Sequence, residues 1–219
     1  MQTLERDGYY APRPGFTWKF ARCCLRELCR CLLANEVPPP LRSGRGRGGT
    51  RLGRAVHAAI QSLPLDADEA MIEAFSRAQA VAEAIPDRSG EVARLVRQAL
   101  QSDAAARARA APRALREVSF AAEFDGVILE GFADLIIETA DGIEIVDWKT
   151  DDIPAAAVRE RLRQYELQAG LYVLGIESAT GRPVTRVTYV FARAGLEESP
   201  GEPASLSARA RAQLASVRT

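Results

Sequence analysis

Apolar residues recur every three or four positions along residues 50–111, which predicts a series of amphipathic helices. The first follows Thr50, a residue suited to an N-cap, and Pro86 and Pro112 interrupt or end later ones. The predicted helices cover residues 51–63, 67–84, 88–101 and 104–111. Residues 51–111 are therefore expected to be mainly helical.

From residue 116 onward the pattern changes to that of β-strands. The predicted strands are REVSFAAEF (116–124), VILEGFADLIIE (127–138) and GIEIVDWKT (142–150). Asp125-Gly126 and Asp141-Gly142 separate them, and Asp-Gly between two strands is a strong hairpin signal. The three strands should form an antiparallel meander.

The last third of the chain returns to helical periodicity. A long helix is predicted from Pro154 to Gly181, followed by a strand over 184–193 and an amphipathic helix over 203–217. The order of helices, three strands, helix, strand and helix predicts an α/β fold with a mixed sheet flanked by helices.

Residues 1–48 are rich in Pro, Gly and Arg and have no sustained period, which predicts an accessory or poorly ordered basic arm before a folded domain at 49–219. Its four cysteines, Cys23, Cys24, Cys29 and Cys31, fall within CCLRELCRC. This spacing differs from the two separated pairs of most zinc sites, so reduced, incidental cysteines are the favoured interpretation, with a metal or cluster site as the alternative.

The 219 residues carry a net charge of zero, but the charges are unevenly distributed. Residues 1–54 hold 11 basic and 4 acidic side chains, whereas residues 117–152 hold 11 acids and one base, Lys149. An acidic segment this dense favours cations. The sequence shows neither an apolar run long enough for a membrane span nor a signal peptide, so a cytoplasmic protein without a membrane partner is expected.

The acidic segment contains a candidate metal site. Asp134 and Asp147 lie at similar distances on either side of the Asp141-Gly142 turn, and neighbouring strands are about 4.8 Å apart, so the two carboxylates could share a cation. Lys149 faces the same side as Asp147, while Trp148 faces the core. Carboxylates suit Mg²⁺ or Mn²⁺. The alternative is a set of solvated charges joined by a salt bridge.

Lys149 is notable because only two of the 29 basic residues, Lys19 and Lys149, are lysines. An ammonium group is compact and can change its protonation state, whereas a guanidinium stays charged and needs space for its planar fork. The choice of lysine at position 149 therefore favours a role in orienting or activating water beside a metal ion.

The segment GFADLIIETADGIEIVDWKT resembles the active-site hairpin of PD-(D/E)XK nucleases, in particular the RecB-like branch (the AddA and RecB type) associated with UvrD-type helicases. Gly53 and His57 in RLGRAVHAAI match the Gly-x-x-x-His helix of that branch, and Glu117 matches an acidic residue on its first strand. QYELQAGLY resembles its glutamine-tyrosine motif through Gln164, Tyr165, Gln168 and Tyr172. The resemblance covers residues 49–194.

The resemblance implies a restriction-endonuclease-like core and a metal-dependent deoxyribonuclease, an exonuclease or end-processing nuclease in DNA repair or recombination. It implies that His57, Asp134 and Asp147 bind Mg²⁺ or Mn²⁺, with Glu117 nearby and Lys149 acting on water. The glutamine-tyrosine residues would contact DNA or support the site. The alternative is a non-catalytic module that binds DNA or a helicase.

Two features differ from the relatives implied by this resemblance. No GxxxxGK[ST] motif is present, so this chain is not expected to drive unwinding by that route. It is expected to be a free-standing nuclease, a fragment or a nuclease subunit, and the resemblance implies a UvrD-like helicase subunit as a partner. No cysteine follows Cys31, so the iron–sulphur cluster of some relatives is not expected. Arginines within 42–54 and 159–163 are candidates for contact with DNA phosphates.

Overall fold

The computed structural model describes residues 22–24, 50–124 and 127–216. The rest of the predicted arm, including Cys29 and Cys31, and the Asp125-Gly126 turn lie outside the described residues. The helices are α1 (Arg51–Ser62), α2 (Glu69–Ala82), α3 (Ser89–Leu100), α4 (Asp103–Ala110), α5 (Val158–Arg163), α6 (Glu166–Thr180) and α7 (Pro203–Ser216). The strands are β1 (Arg22–Cys24), β2 (Arg113–Phe124), β3 (Val127–Glu138), β4 (Ile143–Lys149), β5 (Val184–Phe191) and β6 (Leu196–Glu198). Short 3₁₀ turns occur at Pro86–Arg88 and Ala155–Ala157.

The strands form one mixed sheet. β2, β3 and β4 are successive antiparallel neighbours, β5 pairs parallel with β4, and β6 pairs antiparallel with β5. β3 pairs with β2 along one edge, and its other edge is shared by β1, opposite Ile128 to Glu130, and β4, opposite Leu135 to Glu138. The predicted antiparallel meander and mixed sheet are confirmed.

Helices cover both faces of this sheet and enclose two apolar cores. Helices α5, α6 and α7 contribute to one core, called here the α6 core, which includes Leu171 and Tyr189. Helices α1 to α4 contribute to the other, the α1 core, which includes Val56 and Trp148. All seven residues of β4 are buried, as expected for a central strand covered on both faces. Among the described residues, no helix combines the length and apolar character needed to cross a membrane.

Helix ends follow the expected local chemistry. Thr50 is the N-cap of α1, and its hydroxyl oxygen accepts a hydrogen bond of 3.0 Å from the Gly53 amide. Asp68 caps α2 in the same way. Gly181 ends α6 in the left-handed conformation at φ 67°, which glycine adopts without steric cost. Thr50 and Gly181 explain why the sequence pattern placed the start of α1 and the end of α6 correctly.

The prediction of one continuous helix from Pro154 to Gly181 is wrong at Gln164 and Tyr165, where α5 ends and α6 begins. The Tyr165 hydroxyl donates to both carboxylate oxygens of Asp151, and its carbonyl accepts from the Tyr189 hydroxyl. The break therefore coincides with contacts that Tyr165 makes to residues outside the helix, which the local periodicity does not reveal. The short strands β1 and β6 were not predicted, since three residues carry no recognisable period.

Candidate active site

Glu117 in β2 marks a break in the alternation of strand faces. Residues three apart on a strand normally point to opposite faces, yet Leu115 and Val118 both contribute to the α6 core. Glu117 between them has a φ of 50°, a left-handed conformation that is uncommon for a residue with a side chain. The register of the ladder places Asp134 of β3 opposite Glu117. The distortion therefore occurs where two carboxylates face each other, as is common at functional sites.

The paired part of β3 and β4 ends beside Asp134. The last pair of that ladder is Leu135 and Val146. Two residues after Val146, the Trp148 amide donates a hydrogen bond of 2.8 Å to the side-chain oxygen Oδ2 of Asp134. This contact holds the Asp134 carboxylate between the two strands and leaves Oδ1 directed elsewhere.

Helix α1 brings His57 to the other carboxylate oxygen. His57 Nδ1 lies 3.2 Å from Asp134 Oδ1. At the start of the helix, a Cβ on Gly53 would lie 3.0 Å from Thr150 Oγ1, so glycine permits the close approach to the end of β4. Near its end, the Arg116 guanidinium donates to the carbonyls of Ile60 and Leu63, the former at 3.1 Å. α1 is thus fixed to β4 and to β2.

His57, Glu117 and Asp134 form a cluster with the donor set of a metal site. Each offers one ligand atom, and these atoms lie within 4.8 Å of one another. One imidazole nitrogen and two carboxylate oxygens suit Mn²⁺, and carboxylates with additional waters suit Mg²⁺. The residues therefore fit the ion that the sequence implied. Asp147, the third ligand implied by the resemblance, is not a member of this cluster.

The charges of His57 and Asp134 support each other. Burial acts to lower the pKa of His57, but attraction to the Asp134 carboxylate and their hydrogen bond outweigh it, so the pKa is raised. Burial acts to raise the pKa of Asp134, but His57 and the Trp148 amide hold it below its usual value. In the absence of a metal ion, the pair is stabilised as imidazolium and carboxylate.

Asp147 and Lys149 lie on the α6 side of β4, with Trp148 in the α1 core, as alternation predicted. Lys149 Nζ is 2.8 Å from Asp147 Oδ2 and 3.1 Å from Gln168 Oε1. Burial is the main cause that raises the pKa of the Asp147 carboxyl, and Asp134 adds to it while Lys149 opposes it. Tyr172 donates to the other oxygen of Asp147 at 3.3 Å. Gln168 and Tyr172 of α6 therefore contact the Asp147–Lys149 pair directly.

The other two residues of the glutamine-tyrosine motif lie differently. The Tyr165 hydroxyl donates to Asp151 at 2.9 and 3.0 Å, while the ring lies over Lys149. Gln164 is exposed and accepts a hydrogen bond of 2.5 Å from Arg161. Tyr165 thus contacts the site through its ring, and Gln164 is at the surface beside it.

The arginines proposed to contact phosphate are in varied settings. Arg161 donates to Asp151 at 2.6 Å, and Arg163 pairs with Glu160 at the surface. Arg51 is exposed at the start of α1, and Arg54 pairs with Glu83 at 2.7 Å. Arg42, Arg45 and Arg47 are outside the part of the chain that the structure describes. Among the arginines of these two ranges that the structure describes, Arg51, Arg159 and Arg163 are exposed.

Sequence reasoning missed Arg116, Asp151 and Tyr189. Asp151 comes two residues after Lys149, and that proximity was a usable signal. Arg116 precedes Glu117, but its partners on α1 are more than 50 positions away. Tyr189 is brought opposite Asp147 by the parallel pairing of β4 and β5, for which the sequence carries no local sign.

Comparison with known proteins relates this chain to nucleases. The chain is 40% identical over 58 residues to an ATP-dependent helicase/nuclease protein of Carboxydothermus hydrogenoformans, a match covering 26% of this chain and 5% of the length of that protein. It also resembles the crystal structure of SSO0001, with 12% identity, a TM-score of 0.36, and coverage of 75% of this chain and 83% of that one. Because its TM-score is low, the second match is not used to assign the family.

The family model gives the decisive match. The model of the PD-(D/E)XK nuclease superfamily matches residues 19–218, which include the meander, both groups of helices and every candidate site residue. The restriction-endonuclease-like fold class predicted from the sequence is confirmed, and the helicase/nuclease match supports the RecB-like branch. The chain belongs to the PD-(D/E)XK nuclease superfamily.

Proposed function

We propose that this chain is a Mg²⁺- or Mn²⁺-dependent deoxyribonuclease that hydrolyses DNA phosphodiester bonds. The observation that carries the proposal is the convergence of His57, Glu117 and Asp134 on one point. These residues come from three separate elements, and the backbone of β2 is distorted where Glu117 joins them. The Asp147–Lys149 pair lies beside this cluster, because Trp148, the residue between them on β4, donates its amide hydrogen bond to Asp134.

His57, Glu117 and Asp134 would hold the ion. Asp147, proposed from the sequence as a further ligand, holds Lys149 at 2.8 Å and would exchange part of that contact for the ion. When bound, Mg²⁺ or Mn²⁺ lowers the pKa of water and neutralises charge on the phosphate. Lys149 would orient the attacking water, because its ammonium is held in a fixed direction by Asp147 and Gln168.

The proposed substrate is DNA, as ends or single strands, and the proposed role is an exonuclease or end-processing nuclease in repair or recombination. The name of the helicase/nuclease relative supports a helicase as a partner, and the resemblance of the site motifs suggests the UvrD type. We further propose that residues 1–48 are an accessory arm and that residues 49–219 form the nuclease domain. All members of the proposed site lie after Gly49.

The test is cleavage of linear single- and double-stranded DNA by the purified chain with Mg²⁺, Mn²⁺ or EDTA. We expect metal-dependent cleavage, lost with EDTA and reduced roughly 10²- to 10⁴-fold by Lys149→Met. Glu117→Gln tests the metal cluster, and Glu123→Gln, an exposed acid on the same strand, is its matched control.

The outcomes separate an enzyme from a binding module. Loss of cleavage in Glu117→Gln with full activity in Glu123→Gln supports the proposed site. A chain that binds DNA but cuts neither substrate with either metal is instead a non-catalytic module with a nuclease fold.

A further inference from the structure

The Lys149 ammonium lies over the faces of two neighbouring tyrosine rings. Nζ is 4.1 Å from the ring centroid of Tyr165 and 4.9 Å from that of Tyr189, in addition to its contacts with Asp147 and Gln168. The side chain is only 10% exposed. An ammonium over an aromatic face within about 6 Å is attracted by the ring quadrupole, and more strongly when water is excluded.

Tyr189 is held rigidly in this arrangement. It is fully buried in β5, opposite Asp147 in the parallel ladder. Its hydroxyl donates to the Tyr165 carbonyl at 3.2 Å, and the two rings are 5.3 Å apart at an angle of 30°. The hydrogen bond satisfies the buried hydroxyl, and together with burial it favours the position of the ring beside Lys149.

Tyr165 is fixed from the other end of its ring. Its hydroxyl donates to both oxygens of Asp151, and Asp151 in turn accepts from Arg161. Asp151, two residues after Lys149, therefore fixes the tyrosine ring that lies against the Lys149 ammonium. The break between α5 and α6 places the ring there.

We propose that Tyr189, together with Tyr165, forms an aromatic surface that positions Lys149 for its role in the proposed nuclease reaction, on which this inference depends. Tyr189 is a positioning residue, because it touches Lys149 rather than the reacting atoms. A compact ammonium contacts both rings, Asp147 and Gln168 through one nitrogen, which the larger planar guanidinium could not do. This gives a physical reason for lysine at position 149 in a chain whose other basic residues, apart from Lys19, are arginines.

The position of Lys149 over the two tyrosine rings can be tested without DNA or metal, because the chain has only two lysines. In protein labelled with ¹³C-lysine, two sets of side-chain signals are expected, and Lys19→Arg assigns them. Ring currents from Tyr165 and Tyr189 should shift the ε-CH₂ protons of Lys149 upfield of those of free lysine. Tyr189→Leu should reduce that shift, and Tyr189→Phe should retain it. A Lys149 signal at the chemical shift of free lysine in the parent protein would show that Lys149 does not lie over the two tyrosine rings.

Turnover provides the second readout. Tyr189→Leu should lower kcat roughly 2- to 30-fold, the range expected for one lost cation–π contact, with little change in KM for DNA. Tyr189→Phe should restore most of kcat. Val187→Ala is the stability control, because it shortens a buried side chain on the same face of β5 away from Lys149.

These two readouts separate the inference from the proposed function. If the parent does not cut DNA but the chemical shift of Lys149 depends on Tyr189, the proposed nuclease function is wrong, while the contact of Lys149 with the two rings is supported. If Val187→Ala lowers kcat as much as Tyr189→Leu does at equal loss of stability, Tyr189 acts only as part of the core and the positioning role is wrong.

Discussion

The amide of Trp148 donates a 2.8 Å hydrogen bond to Oδ2 of Asp134, which joins the end of β4 to β3 where their backbone pairing has stopped. The same carboxylate reaches His57 through Oδ1. Asp134 therefore has a structural role towards the sheet and a proposed metal-binding role towards His57 and Glu117. Substitutions can separate the two roles.

Asp134→Asn should keep the fold and lose the response to metal. The asparagine side-chain oxygen can still accept from Trp148, whereas the negative charge that would bind the ion is gone. A ligand that binds only the folded state raises the melting temperature, so millimolar Mn²⁺ should stabilise the parent but not this variant. Thermal unfolding with Mn²⁺ and with EDTA measures both effects.

Asp134→Ala provides the contrast. It also leaves the Trp148 amide without its partner, which should cost about 1–3 kcal/mol of unfolding free energy beyond the loss of metal binding. An equal Mn²⁺-dependent shift in the parent and in Asp134→Asn would show that the ion binds elsewhere.

Gly53→Ala should weaken metal binding while leaving the stability of the metal-free protein nearly unchanged. The new Cβ would lie 3.0 Å from Thr150 Oγ1 and 3.3 Å from the capping oxygen of Thr50, so these contacts would have to relax by a few tenths of an ångström. We expect the start of α1 to take up part of this adjustment and to move His57 with it. Alanine in a helix offsets part of this cost, by about 0.5–1 kcal/mol relative to glycine. Titration with Mn²⁺, monitored by the melting temperature, should show a several-fold weaker affinity.

A second substitution checks the cause of this effect. Thr150→Ala in the Gly53→Ala background removes the oxygen that the new methyl group meets, and should recover much of the affinity. No recovery would show that the close approach to Thr150 is not what limits the position of α1.

Gly170→Ala should destabilise the packing of α7 on α6. A Cβ there would lie 2.3 Å from the Leu206 carbonyl oxygen and 2.8 Å from the Ala210 Cβ, so the helices would have to separate. Overpacking of this kind typically costs about 1–3 kcal/mol of unfolding free energy, which urea denaturation measures. Gly90→Ala in α3 is the matched control, because nothing lies within 4 Å of its Cβ, and it should be neutral or stabilising. Similar losses in both variants would contradict this account of the interface.

A chain that begins at Gly49 should fold and keep its response to Mn²⁺. In the described part of the chain, every residue of the two cores follows Gly49, and β1 contributes only the pairing of three residues with Ile128 to Glu130. Because the arm is rich in arginine, its removal should lower DNA affinity and flatten the dependence of affinity on salt. Circular dichroism, Mn²⁺-dependent melting and DNA binding at several salt concentrations measure this. A shortened chain that is unfolded would place an essential structural role in residues 1–48.

The sequence alone determined the elements whose signals are local. Helical spacing after Thr50, Asp141-Gly142 between two strands and Gly181 after an apolar helix were sufficient, because caps and turns depend on a few neighbouring residues. Alternation along β4 also assigned Trp148 to one core and its neighbours to the opposite face.

The way in which the site residues meet depends on tertiary contacts. The φ of 50° at Glu117 shifts the alternation of β2 and places its carboxylate with His57 and Asp134, which no periodic pattern could predict. Tyr189 reaches Lys149 through the parallel pairing of β4 and β5, two strands that are separated in sequence by helices. Tyr165 lies over Lys149 at a break in a helix that the sequence predicts as continuous, and it contacts Asp151 and Tyr189 there. Such contacts join residues distant in sequence, and their energies outweigh local propensities that are worth only tenths of a kcal/mol per residue, roughly up to 0.7.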